Sequence, residues 1–160
     1  VIYKSLIGTA AIVVLAVTGF GDAMAQKKPP YWASIGAGKA YMRSGPGRQF
    51  PAQWLFVRAD LPVKVVETYP NWRKVQDPDG AQGWMQANLL SEARTGMIRG
   101  ETRPLRSSPE SDASISWRAE AGVVGKLSEC AQGWCKFDVR GKAGYVETAH
   151  IWGGDELPGG

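Results

Sequence analysis

The sequence predicts an all-β chain: two small barrels in tandem, preceded by a signal peptide. Three observations carry this. Beyond residue 25, apolar residues alternate with period two, and no apolar face at helical spacing persists beyond two turns. One ordered set of motifs occurs twice. The 160 residues include 20 Gly and 10 Pro, which favour many turns over long helices. Hydrophobic residues make 44% of the chain and charged ones 21%, which argues against wholesale disorder.

Residues 1–25 read as an export signal. Lys4 supplies a basic start, an apolar run follows to Phe20, and Ala23-Met24-Ala25 matches a small-residue cleavage site before Gln26. The run is about 15 residues, short of the roughly 20 that span hydrocarbon. An uncleaved N-terminal anchor is the other reading. No later segment is long and apolar enough to cross a membrane. Export implies an oxidising compartment in which a disulfide persists.

The repeat comes next. Met42-Arg43-Ser44-Gly45-Pro46 returns as Leu105-Arg106-Ser107-Ser108-Pro109 at an offset of 63. Asn71-Trp72-Arg73-Lys74-Val75 returns as Gly133-Trp134-Cys135-Lys136-Phe137 at 62. Gly83-Trp84-Met85 returns as Gly144-Tyr145-Val146 at 61. Ordered anchors with drifting offsets indicate duplication followed by small loop deletions. The boundaries are 31–90 and 97–152, with a loose tail at 153–160.

Within each copy, strands and turns have local causes. Leu61, Val63 and Val65 share one face of a strand. Trp72 to Val75 follows the turn Tyr69-Pro70-Asn71. Asp77-Pro78-Asp79-Gly80 is a turn because Pro presets φ and Gly tolerates positive φ. Gly83 to Gln86 is the next strand. Copy two repeats the pattern at 123–127, 134–139 and 144–147. Each copy has about 60 residues, near the lower limit for a self-sufficient core, so the copies are expected to pack together.

In this order, these motifs resemble the bacterial SH3-like family in its tandem exported form. The resemblance rests on Met42 to Pro46, Leu61 to Val65, Trp72 to Val75 and Asp79 to Trp84, with Leu105 to Pro109, Cys130 to Cys135, Gly144 to Val146 and Ile151 to Gly153 in copy two. It implies two SH3-like barrels of five or so strands. It also implies non-catalytic binding at the cell envelope, peptidoglycan included, and a periplasmic or secreted location. Copy two departs from the pattern at Ser108 for Gly45 and Tyr145 for Trp84, so the copies need not bind alike.

Candidate site residues follow from the repeat. Tyr41, Arg43, Trp54 and Trp84 form the candidate ligand groove of copy one, with Arg106 and Trp117 as repeated counterparts of Arg43 and Trp54. Aromatics would stack on peptide or sugar, and Arg would orient an anionic group. The plainer role for both arginines is to tie down loop carbonyls with a fixed donor fork. Trp72, Trp134 and Tyr145 are read as structural aromatics that fill the barrels, and Trp84 admits the same reading. Cys130 and Cys135 flank a tight turn and are expected to form a disulfide, with buried free thiols as the alternative.

Several chemistries are excluded. The chain has one His, so no His₂ metal site fits within it. His150 is expected to be structural. Asp77 and Asp79 are explained by their turn rather than by paired acid–base catalysis. No phosphate loop, dinucleotide fingerprint or calcium loop is present. No cofactor and no enzyme activity are expected. Residues 26–90 hold nine basic and four acidic groups, and 91–160 hold nine and ten. Copy one therefore suits an anionic partner. Nucleic acid fits that charge, but export argues against it. The expected partner is peptidoglycan, or alternatively an envelope protein for which the chain is a scaffold or regulator.

Overall fold

A computed structural model describes residues 27–159. The signal-peptide expectation for 1–25 falls outside them. The first copy contains β1 (Tyr31–Ile35), β2 (Ala40–Arg43), β3 (Ala52–Phe56), β4 (Pro62–Tyr69), β5 (Trp72–Gln76), β6 (Gln82–Gln86) and β7 (Leu90–Ser91). The second contains β8 (Thr95–Ile98), β9 (Arg103–Arg106), β10 (Ile115–Ala119), β11 (Val124–Ala131), β12 (Trp134–Val139), β13 (Lys142–Glu147) and β14 (Ile151–Trp152). A single 3-10 turn, Ala87–Leu89 or Thr148–His150, precedes the last strand of each copy.

The two sheets have one topology. The first runs β3-β2-β6-β5-β4-β1-β7 and the second β10-β9-β13-β12-β11-β8-β14, all antiparallel. Each strand therefore has its counterpart seven strands later. The expectation of closed barrels needs correction. A barrel closes when its terminal strands pair, and here β3 and β7, like β10 and β14, do not. Each sheet curls only half-way round its core. The physical reason is at the edges: β7 and β14 have two residues each, and the β2–β3 ladder is bulged between Met42 and Arg43.

Hairpin chemistry explains the registers. Gln132 and Gly133 both take positive φ (51° and 80°), the primed turn that matches strand twist. This places Cys130 opposite Cys135, where they form a disulfide with a Cα–Cα distance of 4.1 Å. Arg140 and Gly141 repeat the positive-φ pair at the next hairpin. In copy one, buried Asp77 holds its turn by accepting the N–H of Asp79 (3.0 Å) and of Ala81 (2.8 Å). At the corresponding hairpin of copy two, Asp138, the counterpart of Gln76, accepts the Gly141 N–H at 2.8 Å. Asp77 is thus a turn-forming carboxylate.

Each sheet wraps its own core. Tyr31, Ile35, Met42, Val63, Val65, Val75 and Met85 fill the first. Ile98, Leu105, Leu127, Cys135, Phe137 and Val146 fill the second. The expected packing between copies is present, for Met97 and Val124 of copy two lie against the first core. Strand β1 is buried on both faces because copy two covers its outer side. Trp32 meets Trp152 edge to face, centroids 4.9 Å apart, with Lys64 Nζ within about 5.3 Å of both rings. Trp152 Nε1 donates to the Pro62 carbonyl at 3.0 Å. Ser34 and Thr95 hydroxyls contact each other, and also reach the carbonyls of Ala93 and Asp60. Of the tail expected to be loose, Gly153 and Gly154 are buried. Trp32 Nε1 donates to the Asp155 carbonyl at 2.9 Å, and the Gly159 N–H to that of Pro30 at 3.0 Å.

Candidate functional site

Strand alternation sets the site. On β2, Ala40 and Met42 face the core, so Tyr41 and Arg43 face outward. Directly opposed residues share a face. Arg43 lies opposite Trp84 on β6, Trp84 opposite Lys74 on β5, and Lys74 opposite Glu67 on β4. An outward row Arg43–Trp84–Lys74–Glu67 thus crosses four strands. Copy two repeats it as Arg106, Tyr145, Lys136 and, beside the β11 bulge, Glu129.

Each arginine anchors a loop. Arg43 Nη1 donates to the Phe50 carbonyl at 2.8 Å, and Arg106 Nη1 to the Ala113 carbonyl at 2.7 Å. In copy one the Arg43 guanidinium also sits 5.5 Å from the Tyr41 ring centroid. Trp84 is met edge-on by Tyr69, centroids 6.3 Å apart. Tyr41 and Tyr69 are about half exposed, at 49% and 55%. Three aromatics, Tyr41, Trp84 and Tyr69, therefore share one open face beside Arg43 and Lys74. Residues 27–59 hold six cations, Arg43 among them, and no acid. In copy two, Pro104 stands where Tyr41 does and Ala131 where Tyr69 does. The second face keeps the row and lacks its aromatic flanks.

Copy two closes its row with charge-assisted bonds. Glu129 accepts from Tyr145 Oη at 2.6 Å and from Lys136 Nζ at 3.0 Å. The bond from Tyr145, then that from Lys136, holds the Glu129 carboxyl below its ordinary value. The same bonds to Glu129 raise the values of Tyr145 and Lys136. The sign follows: the Glu129 contribution is complete above the usual carboxylate range and is lost as pH falls through its lowered value. Those of Tyr145 and Lys136 are lost as pH rises through their raised values. Carboxyl-carbon NMR titration is expected to find Glu129 below the ordinary glutamate value. Tyr145→Phe should move it upward, and an unmoved value refutes the network.

The remaining predicted residues are dispersed. Trp54 lies opposite Met42, on the other side of the ladder from Tyr41 and Arg43, and is 57% exposed. Trp117 lies opposite Leu105, half-buried against the second core, with Lys142 Nζ 5.2 Å over its ring. The structure thus brings Tyr41, Arg43 and Trp84 together and leaves Trp54 and Trp117 apart. Trp72 is buried, whereas Trp134 is half-exposed and lines an open cleft with Glu110, Asp112 and Glu147. His150 Nε2 is 3.7 Å from Glu147. Sequence reasoning passes over Tyr69, Lys74 and Glu67. Lys74 and Lys136 were signalled by their place within a repeated motif, and Glu67 and Glu129 by an offset of 62.

Among the described residues, no group of three or more His, Cys, Asp or Glu could hold a metal ion. No helix among them is long and apolar enough to cross a membrane.

Fold and repeated face define a tandem SH3-like architecture. The model of the bacterial SH3 domain matches residues 36–92 and again 99–153. The chain belongs to that family and carries its domain twice. No curated protein matches it. Solved structures that the chain matches include NlpC1 and NlpC2 from Trichomonas vaginalis and an NlpC/P60 family protein from Bacillus cereus. Identities are 14%, 12% and 12%, with TM-scores of 0.33, 0.37 and 0.35. The matches cover 79%, 78% and 76% of this chain, and 46%, 48% and 56% of those chains. The chain thus spans about half their length.

Proposed function

We propose that this protein is an exported, non-catalytic binding module that recognises cell-envelope peptide or glycan, peptidoglycan above all, through the outward face of its first repeat. The observation that carries the reading is the cluster of Tyr41, Trp84 and Tyr69 beside Arg43. A flat aromatic face stacks on sugar rings or peptide planes, and a neighbouring guanidinium orients a carboxylate. The site belongs to copy one because Pro104 and Ala131 remove two of the three aromatics from copy two. Residues 1–25 support export, which brings the module to the envelope.

Co-sedimentation of the chain lacking residues 1–25 with insoluble peptidoglycan tests this at low and high salt. Trp84→Ala is expected to weaken binding about tenfold, equivalent to about 1.4 kcal/mol, and Tyr145→Ala to leave it unchanged. Binding lost equally from all variants at high salt would reduce the interaction to charge attraction. Absence of binding at either salt overturns the reading.

A further inference from the structure

Strand β3 ends the first sheet, and no described strand pairs with its outer edge. Its sequence, Ala52-Gln53-Trp54-Leu55-Phe56, carries no charge, and Val57 follows. Trp54, Leu55 and Val57 are exposed, Val57 at 67%. An uncharged, apolar edge strand is a template for another chain, and proteins ordinarily blunt such edges with charge. Copy two does so. At the positions of Leu55 and Val57 its edge strand region has Arg118 and Glu120, and Trp117 is drawn against the core. The same fold thus appears once with a guarded edge and once with an open one.

Charge selects the occupant. Arg48 precedes β3 and Arg58 follows it, within the segment 27–59 that holds six cations and no acid. Pairing two β3 edges from two molecules would bring these cations together, which is unfavourable. A strand carrying carboxylates would meet them favourably. We propose that the β3 edge binds an extended acidic peptide segment of a protein partner, in which apolar residues alternate with Asp or Glu, as an eighth strand of the first sheet. Main-chain bonds to β3 supply affinity, Trp54 receives the apolar side chains on its side of the sheet, and Arg48 and Arg58 select the acidic peptide. Trp54 lies on the Met42 side of the sheet, away from Tyr41 and Arg43, while Leu55, opposite Tyr41, lies on their side, so the peptide pairs with the outer edge of β3 rather than with the Tyr41–Trp84 face.

The test is amide NMR on the full chain, titrated with a synthetic peptide alternating Val and Glu. Controls are its Val–Lys analogue and a version with a central Pro. Shifts are expected at residues 52–58, persisting at physiological salt, with the Lys and Pro peptides at least about tenfold weaker. Leu55→Arg with Val57→Glu copies the edge of copy two, a sequence this fold already accommodates, and should weaken binding at least about tenfold. Trp84→Ala should leave it intact. Equal binding of the Pro peptide, shifts confined to the Tyr41–Trp84 face, or no binding of the Val–Glu peptide overturns the proposal. So does a free chain that sediments as a dimer and becomes monomeric on Leu55→Arg with Val57→Glu, since the occupant is then a second copy.

Discussion

Trp152→Ala is expected to cost about 3–5 kcal/mol and to split one unfolding transition into two. Trp152 is buried between the copies, with Trp32 against its ring, Lys64 beside it and Arg99 5.4 Å from its centroid. Its Nε1 bond to Pro62 is the direct tie to strand β4 of the other sheet. Truncation opens a cavity at the seam and exposes Trp32, while each sheet retains its own core. The copies should then unfold separately, copy two first, since it loses β14 packing as well. Trp152→Phe keeps a ring and removes the hydrogen bond, with an expected cost nearer 1–2 kcal/mol. Urea unfolding followed by far-ultraviolet circular dichroism reads both. One unchanged transition in Trp152→Ala would show that Met97, Val124 and the Ser34–Thr95 contact hold the copies together without it.

The second large effect concerns a volume exchange between the cores. Val63 and Val75 of copy one correspond to Gly125 and Phe137 of copy two. A Cβ at Gly125 would stand 2.7 Å from Phe137 Cε1 and 2.8 Å from the Asp138 carbonyl. The bare glycine therefore makes room for the ring and for the Asp138 carbonyl, and a smaller residue 137 relieves only the first of these contacts. Gly125→Val alone should cost about 1–3 kcal/mol by overpacking. Phe137→Val alone should cost about 2–4 kcal/mol by leaving a cavity. The double variant matches the pair that copy one uses and removes the clash with the ring but not that with the Asp138 carbonyl, so a coupling energy of about 1–3 kcal/mol is expected by double-mutant cycle, with part of the Gly125→Val cost remaining. Additive costs would show that the two copies reached their cores independently at these positions.

These pairs show why the fold was partly legible. The motifs around Arg43, Trp72 and Trp84 state their own strands, because alternation and turn chemistry are local properties. Their second occurrence fixes the order of the elements without reference to any contact. Closure was not legible. It depends on whether 52–56 meets 90–91 across the core, and no local pattern encodes that pairing. Strand β1 hides for a related reason: Tyr31 to Ile35 does not alternate, since copy two buries its outer side. In the candidate site, Tyr41, Arg43 and Trp84 fall on one face as their spacing allows. Trp54 does not, because the bulge between Met42 and Arg43 changes the register by which its side would be counted. Tyr69 was lost to a reading of Tyr69-Pro70-Asn71 as a turn alone, although it is the last residue of β4.

The seam has a consequence for the order of synthesis. Copy one is complete in sequence by Ser91, yet the groups that cover Trp32 and accept the hydrogen bond of its indole N–H belong to Trp152 and Asp155. A nascent chain folds from its N-terminal side, so the first sheet waits on the ribosome with that flank uncovered until residues 152–155 emerge. A stop codon near position 150 would spare every residue of copy one and still strip the cover from it. The first repeat thus forms before the second and is sealed only after it.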